Sequence, residues 1–308
     1  MADHDHHHDH SELGHQQDIT NISGKKIFLV TLLNAIITIS EIIGGLVSGS
    51  LSLLSDAVHN LSDTIAIALS YYANRIAKKP NDSKKTYGYQ RAEILSAFVN
   101  ASVLFAISSL LIIESIKRWQ NPEVIDGKLM IIVASIGLVA NLISVFLLEK
   151  DSHENLNIKS SYLHLLSDTI SSIGVVLGGI AIMIWDVLWV DPLITMLISL
   201  YILRETWHVV KKTIEILMQS SAKLDYYSIK EDVEKISGVN TIHHVHSWMI
   251  NENTIHFEAH IDIDDMLISE VQDIYDKINH YLKEHYDISH TTLQAEVDQC
   301  QDKSFFKQ

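Results

Sequence analysis

A seven-residue motif that begins with histidine occurs twice in the sequence. The copies start at His59 and His164, 105 positions apart, and six of their seven residues are identical. In each copy an aspartate follows four residues after the histidine, at Asp63 and Asp168. Because residues i and i+4 lie on one face of a helix, each histidine would project beside its aspartate.

Two facing helices that carry this motif would offer two imidazoles and two carboxylates. Zn²⁺ accepts this donor set in a tetrahedral site, and two ionised aspartates with neutral histidines balance a divalent charge. The alternative interpretation is that each pair is a satisfied polar contact between helices. Matching pairs in two separate segments favour a metal site with His59, Asp63, His164 and Asp168 as its ligands.

Two further acids occur in the same apolar part of the chain. Asp56 precedes His59 by about one helical turn and shares its face. We expect Asp56 beside the metal or on the path of the ion, because four donors are already present. Glu41 would cost about 2.5–3.5 kcal/mol or more within a bilayer. It either lines the ion path or pairs with a neighbour, and the sequence leaves both interpretations open.

The segments that carry these residues are long and apolar. A bilayer core about 30 Å thick needs about 20 helical residues to cross it. A soluble helical bundle would need a polar face on every helix, which most of these segments lack. We therefore predict an α-helical membrane protein with six transmembrane helices. They cover Ile27–Val47, Leu53–Ala77, Ile94–Ile116, Leu129–Leu148, Tyr162–Ile184 and Leu188–Val210.

The composition agrees with a membrane protein and excludes several other classes. Charged residues make up 20% of the chain, below the value of about 25% that is usual for soluble domains. The net charge of −15 argues against nucleic-acid binding, which needs a basic surface. The single cysteine, Cys300, excludes an internal disulfide framework and any CxxC motif. Eighteen histidines in an acidic chain suggest a divalent metal.

The distribution of lysine and arginine predicts the orientation in the membrane. Most of these residues near the segment ends lie on the side that both termini share, whereas the other side has only Lys117, Arg118 and Lys128. By the positive-inside rule both termini are cytoplasmic. No cleavable signal peptide is visible, because the N-terminus is rich in histidine and aspartate. The short loops favour a bacterial plasma membrane.

The part of the chain after about residue 211 is acidic and has the pattern of a small α+β domain. Residues 225–308 hold 17 acidic and 6 basic residues, so their net charge is about −11 (6 − 17). One segment alternates strictly between apolar residues and polar ones, which are His256, Glu258, His260 and Asp262. The predicted order is αββαβ, with elements at Tyr227–Ser237, Thr241–Ile250, Thr254–Asp262, Ile268–Tyr286 and Thr291–Val297.

Four stretches together resemble the cation diffusion facilitator family of zinc transporters. They are Ser50–Asp63, Tyr87–Glu93, the pair His164 and Asp168, and Ile242–Trp248, and the resemblance spans about residues 26–300. It implies six transmembrane helices, a cytoplasmic metallochaperone-like αββαβ domain and a homodimer. It also implies export of Zn²⁺ from the cytoplasm in exchange for protons. Two histidines and two aspartates at the transport site are typical of the zinc-preferring members.

The resemblance further implies a metal site in the cytoplasmic domain. The ligands of the family map onto His243, His260 and Glu296 in this sequence. Gln294 stands where some relatives have a ligand histidine, and His244 stands where relatives have aspartate. The alternative interpretation is that this acidic, histidine-rich face is simply solvated. We assign the nearby His246 and Trp248 to packing.

Two other departures from the family affect the domain organisation. The loop Asn81–Thr86 lacks the histidine with which some relatives bind metal, so we predict no metal there. Eukaryotic relatives often have a long histidine-rich loop between the fourth and fifth spans, whereas here that loop is short and holds only His153. The histidine-rich element lies instead at the N-terminus, as an engineered tag or a native tail that collects metal, and the interleaved aspartates favour the native tail. We predict a cytoplasmic N-terminal tail (1–25), a six-helix transmembrane domain (26–210) and a cytoplasmic metal-binding and dimerisation domain (211–308).

Two other functional classes remain as alternatives. An intramembrane metalloenzyme would need an open coordination position and a general base, as in an HExxH motif, and this motif is absent from the sequence. A membrane-bound metal sensor without transport is the second alternative. The paired intramembrane motifs argue against it, because the tail alone could sense metal. The sequence does not select Zn²⁺ over Cd²⁺, Co²⁺ or Fe²⁺.

Overall fold

Six long helices followed by a small α+β domain make up the computed structural model, which describes residues 24–152, 156–299 and 304–306. The N-terminal histidine-rich tail, His153 and Cys300 lie outside the described residues. The chain divides into two compact units. The first comprises residues up to Ala73 together with Ser96–Val210, and the second comprises Asn74–Leu95 together with the chain from Lys211 onward.

The six predicted membrane helices are all present. They run over Gly24–Ser48 (α1), Leu51–Ala77 (α2), Ala92–Gln120 (α3), Gly127–Ser152 (α4), Leu156–Trp185 (α5) and Val190–Leu217 (α6). At 1.5 Å per residue, their 25 to 30 residues extend over about 37–45 Å, enough to cross a bilayer core. Helix α4 extends beyond the predicted end at Leu148, and the charged group Glu149–Asp151 lies within its last turns.

Composition singles out the helix that carries half of the repeated motif. Among the described residues, α3, α4, α5 and α6 each contain a stretch long and apolar enough to cross a membrane, and α1 contains a shorter apolar stretch at Leu32–Ser48. Helix α2 is less apolar because Asp56, His59 and Asp63 all lie on it. The residues of the candidate site therefore contribute to its polar character.

Helix α4 packs against α5 and α1, and glycines permit the closest approaches. A methyl group at Gly127 would lie 3.0 Å from the carbonyl oxygen of Gly179 on α5. A methyl group at Gly137 would lie 2.7 Å from the carboxylate of Glu41 on α1. Small residues at such positions let helix backbones approach each other in a membrane. Gly137 therefore provides the space that the buried Glu41 side chain occupies.

The second unit contains the predicted αββαβ order. Its elements are Tyr226–Glu234 (α7), Val239–Asn251 (β1), Thr254–Ile263 (β2), Ile268–Tyr286 (α8) and Ile288–Glu296 (β3). The sheet order is β1-β2-β3, with β1 antiparallel and β3 parallel to β2. As the alternation in β2 predicted, Phe257, Ala259 and Ile261 enter the core, where residues of α7 and α8 cover them. The opposite face of β2 carries the histidines and acids.

Candidate metal sites

The two copies of the repeated motif meet between α2 and α5. One ligand atom from each of His59, Asp63, His164 and Asp168 lies within 4.8 Å of the others. The shortest contacts cross between the helices: His164 Nε2 lies 2.9 Å from Asp63 Oδ2, and His59 Nε2 lies 3.4 Å from Asp168 Oδ1. The contacts within each helix are longer, at 3.8 Å from His59 to Asp63 and 3.7 Å from His164 to Asp168.

These separations match the edges of a small coordination tetrahedron. With metal–ligand bonds of about 2.0–2.1 Å, the edge of a tetrahedral zinc site is about 3.3 Å. The four nitrogen–oxygen distances, from 2.9 to 3.8 Å, bracket this value. The ring nitrogens of the partly buried His59 are themselves buried, and neither makes a well-aligned hydrogen bond within the described chain. A cation between the helices would satisfy the Nε2 atom, which otherwise remains a costly buried polar group.

The serine of each motif copy attaches its helix to a different neighbour. Ser62 on α2 accepts a hydrogen bond from Asn100 on α3, at 3.1 Å. Ser167 on α5 donates to the hydroxyl oxygen of Tyr201 on α6, at 3.2 Å. Both serines therefore face away from the four-residue cluster, as their position one residue before the aspartate predicts. They help to set the rotation of α2 and α5 about their own axes.

The two additional acids lie beside the cluster and not within it. Asp56 is 2% exposed, and its carboxylate accepts weak hydrogen bonds from Ser171 and Ser172 of α5, at 3.4 and 3.5 Å. Glu41 is 1% exposed and accepts a hydrogen bond of 2.9 Å from Asn60 of α2. Glu41 therefore has a neighbouring partner, one of the two interpretations that the sequence left open. Its other oxygen, Oε1, has no hydrogen-bond partner among the described residues.

An acid that the sequence analysis did not single out fixes the start of α2. Asp191, in the first turn of α6, is fully buried and accepts four hydrogen bonds from the α2 N-terminus. Two come from the backbone amides of Leu51 and Ser52, at 2.9 and 3.1 Å. Two come from the hydroxyls of Ser50 and Ser52, both at 2.6 Å. Asp191 thus acts as an N-cap supplied by another helix, and no sequence pattern near α2 points to it.

The predicted ligands of the cytoplasmic domain also come together. His260 Nδ1 lies 2.7 Å from one oxygen of Glu296, and His243 Nε2 lies 3.4 Å from the other. His243 pairs directly with His260 across the two antiparallel strands. Gln294 donates a hydrogen bond of 3.0 Å to Glu296 and so orients this carboxylate. The four side chains occupy the ends of three neighbouring strands, which explains their proximity.

A third imidazole, from His244, joins this cluster. One ring nitrogen from each of His243, His244 and His260 lies within 4.8 Å of the others. Sequence reasoning noted His244 only as a departure from the family. Successive residues of a regular strand point to opposite faces, so adjacent histidines would not be expected to share a site. A β-bulge between His243 and His246 makes this possible.

The surroundings of His243 favour its neutral form. Burial lowers the pKa of the His243 imidazole below its ordinary value of 6.5, and the neighbouring His244 lowers it further. Its side chain is fully buried, and neither ring nitrogen makes a hydrogen bond within the described chain. A neutral imidazole with free nitrogen lone pairs is the form that binds a metal ion.

The prediction that His246 contributes to packing is wrong, because the side chain is exposed. The bulge that brings His244 into the cluster also interrupts the regular alternation of β1 before His246. Trp248 is partly buried and packs against His256, with ring centroids 5.4 Å apart. The assignment of Trp248 to packing is therefore confirmed.

Comparisons with known proteins agree with this architecture along most of the chain. Residues 27–218 match the family described as "Cation efflux transmembrane domain", and residues 222–298 match "Cation efflux protein, cytoplasmic domain". The chain is 38% identical over 283 residues to a cadmium, cobalt and zinc/H(+)-K(+) antiporter of Bacillus subtilis. The aligned region covers 90% of each of the two chains.

Two further relatives are similar over nearly as much of their length. The chain is 36% identical over 265 residues to the zinc transporter ZitB of Escherichia coli, which covers 84% of this chain and 83% of the relative. It is 32% identical over 289 residues to the cation efflux system protein CzcD of an Alcaligenes species, with 94% and 91% covered. The chain therefore belongs to the cation efflux family, also called the cation diffusion facilitator family, and is a membrane transporter of divalent metal cations and not an enzyme.

Proposed function

We propose that this protein exports Zn²⁺, and also Cd²⁺ or Co²⁺, from the cytoplasm in exchange for protons, through a site formed by His59, Asp63, His164 and Asp168. The observation that carries the proposal is the meeting of four donors from two helices at tetrahedral spacing. The names of the relatives, zinc transporter and cadmium, cobalt and zinc antiporter, support the choice of metals.

The cross-helix pairs suggest how protons and metal exchange. A metal needs neutral imidazole and ionised carboxylate, so protons compete with it for the two histidines. With protonated histidines, His164 and Asp63 form one ion pair between the helices, and His59 and Asp168 form another. Two protons on the histidines carry the same charge as one divalent cation, so either load balances the two ionised aspartates. The site can therefore alternate between the two loads without leaving an uncompensated charge in the membrane.

We assign Asp56 and Glu41 to the path of the ion beside the site. Asp56 is buried on α2, about one helical turn before His59, and Glu41 is buried on α1. Serine side chains donate hydrogen bonds to Asp56, and an asparagine side chain donates one to Glu41. Intramembrane acids in transporters usually belong to ion or proton pathways. Neither acid needs to bind the metal directly for this role.

The membrane arrangement follows the distribution of charge. We infer a homodimer in a bacterial inner membrane, with the six helices of residues 26–210 in the bilayer. Both termini and the acidic domain of residues 211–308 lie in the cytoplasm. The N-terminal tail of residues 1–25 collects metal there. The cytoplasmic His243, His260 and Glu296 would bind zinc as a regulatory ligand. Metal there would reduce the repulsion between two domains, each of which carries a net charge of about −11 in residues 225–308.

Metal flux into proteoliposomes tests the transport proposal. The wild-type protein should transport Zn²⁺ when a gradient drives protons across the membrane in the direction opposite to the metal. Collapse of that gradient should reduce the transport rate. His59→Ala and Asp168→Ala should each lower the rate by about tenfold or more, since even changes to residues that only hydrogen-bond to metal ligands cost about 10–100-fold. Ser167→Ala is the matched control, because Ser167 belongs to the same motif but faces Tyr201.

Three outcomes would contradict the proposal in different ways. Full flux in both ligand variants would show that the four-residue cluster is not the transport site. A rate that ignores the proton gradient would exclude the antiport mechanism. Zinc binding without flux in any vesicle would favour the alternative of a membrane metal sensor.

A further inference from the structure

The bulge in β1 places two adjacent histidines on the same side of the strand. The pairing with β2 passes from His243 opposite His260 to His246 opposite Glu258, so two residues of β1 face Ala259 alone. His244, the first of these two, has a positive φ of 49°. This left-handed conformation is unfavourable for a residue with a side chain and is usually occupied by glycine at such bulges. Something in the structure must therefore stabilise it.

The stabilising contacts come from the C-terminal end of the chain. At the bulge, the backbone amides of His244 and Val245 donate hydrogen bonds to the carbonyl oxygens of Ser304 and Phe305, at 3.2 and 2.8 Å. Both amides lie at the point where the pairing of β1 with β2 is irregular. The short segment Ser304–Phe306 thus takes the place of a strand partner where the sheet is irregular.

Aromatic packing holds this segment in place. Phe305 is partly buried against the hydrophobic core of the domain. Its ring centroid lies 6.2 Å from that of Tyr226 at the start of α7, and the centroid of Phe306 lies 5.1 Å from Tyr226. The contact is anchored by side chains and does not depend on the two backbone hydrogen bonds alone.

We propose that His244 is a ligand of the cytoplasmic metal site and that the segment Ser304–Phe306 is a clamp that holds it in the binding position. This inference rests on the proposed metal site at His243, His260 and Glu296. The ring of His244 lies 4.9 Å from that of His243 and 5.1 Å from that of His260. Three imidazoles with the Glu296 carboxylate give the site four protein donors, a number that closes a tetrahedral zinc centre.

The clamp and the metal must affect each other. Without the segment, the amides of His244 and Val245 lose their acceptors, and the strand can relax to regular alternation, which would turn His244 to the opposite face. Metal favours the bulged conformation in which His244 is a ligand, and the docked segment favours the same conformation. Two ligands that favour one conformation strengthen each other by the same factor. Metal binding is therefore expected to tighten the docking of the C-terminus.

The test uses the full-length protein in detergent, in a background with Asp63→Ala and Asp168→Ala and with the six histidines of residues 1–25 changed to glutamine, so that binding in the membrane site and in the N-terminal tail is removed. Affinity is measured by titration with Co²⁺, followed by its absorption bands, and by Zn²⁺ competition. Two changes are compared singly and together: His244→Ala, and a stop codon after Lys303 that removes the clamp. A stop codon after Phe306 is the matched control, since it keeps the clamp.

Each single change should weaken Co²⁺ and Zn²⁺ binding by about tenfold, within the 5–150-fold range of typical couplings. The double change should weaken binding no further than His244→Ala alone, because the clamp acts only through this ligand. The control should bind like the parent protein. In the parent, Zn²⁺ should also slow amide hydrogen exchange of residues 243–246.

Other results would overturn the inference. Unchanged affinity after removal of the clamp, or losses that add in the double variant, would show that the C-terminus does not position His244. Unchanged affinity in His244→Ala would show that this residue is not a ligand. If the parent background binds no metal at all, the proposed cytoplasmic site is wrong as well, which separates that failure from a failure of the clamp alone.

Discussion

At the scale of single residues, the chemistry of both candidate sites depends on histidines whose nitrogens have no competing partner. The ring nitrogens of His59 and His243 are buried and make no well-aligned hydrogen bond within the described chain, although each histidine lies beside a carboxylate. A buried imidazole without a partner costs about 1–3 kcal/mol. A bound cation would offset this cost, which is a physical reason to regard both clusters as sites for metal.

Another buried histidine, His256, is expected to make the cytoplasmic domain sensitive to acid. Its ring lies in an aromatic and histidine cluster with His290 of β3, Trp248 of β1 and Tyr87, at centroid distances of 4.8, 5.4 and 5.3 Å. Burial lowers the pKa of His256 below its ordinary value of 6.5, and the neighbouring His290 lowers it further.

The sign of the pH effect follows from proton linkage. Below about pH 6.5 the unfolded chain binds a proton at this position more readily than the folded one, so stability is complete above that pH and is lost as the pH falls below it. Thermal unfolding of the full-length protein should show a larger decrease in Tm from pH 7.5 to 5.5 for the wild type than for His256→Phe. An equal decrease in both proteins would show that His256 does not contribute.

At the scale of secondary-structure elements, the transport site depends on how α2 is anchored. Helix α2 supplies His59 and Asp63, yet its N-terminus is capped by Asp191 of α6. A carboxylate at a helix N-terminus satisfies free amides and interacts favourably with the helix dipole. Because Asp191 is fully buried, water cannot replace it readily when it is removed.

We expect Asp191→Ala to destabilise the protein by about 3 kcal/mol or more, since it leaves several buried donors without an acceptor. Asp126→Ala is the matched control, because Asp126 caps α4 through the amide of Leu129 at an exposed position. Its cost should be about 1 kcal/mol. Thermal unfolding in detergent compares the two, with amide exchange at residues 51 and 52 as a local measurement. Equal destabilisation would mean that the buried cap has no special role.

At the scale of the whole molecule, charge dominates the cytoplasmic domain. Residues 225–308 carry about −11, and two copies in the proposed homodimer would repel each other. Metal bound at the cytoplasmic sites would reduce this repulsion and allow the two domains to approach. Since charges more than about 8 Å apart are largely screened at physiological salt, the effect should be strongest at low ionic strength.

A distance measurement between spin labels on the two cytoplasmic domains tests this mechanism. In a variant with Cys300→Ser and Glu284→Cys, each domain carries one spin label at this exposed position of α8. Added Zn²⁺ should shorten the distance between the two labels, whereas Mg²⁺ should not. His260→Ala should abolish the response to Zn²⁺. A distance that ignores Zn²⁺ in the wild type would exclude this form of regulation.

Much of the fold could be predicted because its signals are local. Long apolar segments indicate membrane helices, and the strict alternation from Thr254 to Asp262 indicates a strand with one buried face. The repeated histidine and aspartate could be recognised as ligands for the same reason, since a spacing of four residues has a definite meaning on a helix.

Features that depend on distant contacts could not be predicted in this way. The Asp191 cap joins residues about 140 positions apart, and no pattern near Ser50 reveals its source. The bulge at His244 results from a strand pairing together with a contact to the C-terminal segment. The exposed position of His246 follows from the same bulge, which a regular alternation could not foresee.

The amino-acid sequence by itself determined the donor types, their helical spacing and the apolar segments that carry them, because periodicity and composition act over a few residues. Only the tertiary structure decided that His164 lies nearest Asp63 and His59 nearest Asp168, and that three histidines converge in the cytoplasmic domain. The physical reason is that such contacts depend on how helices and strands pack, and packing is set by the whole set of neighbours.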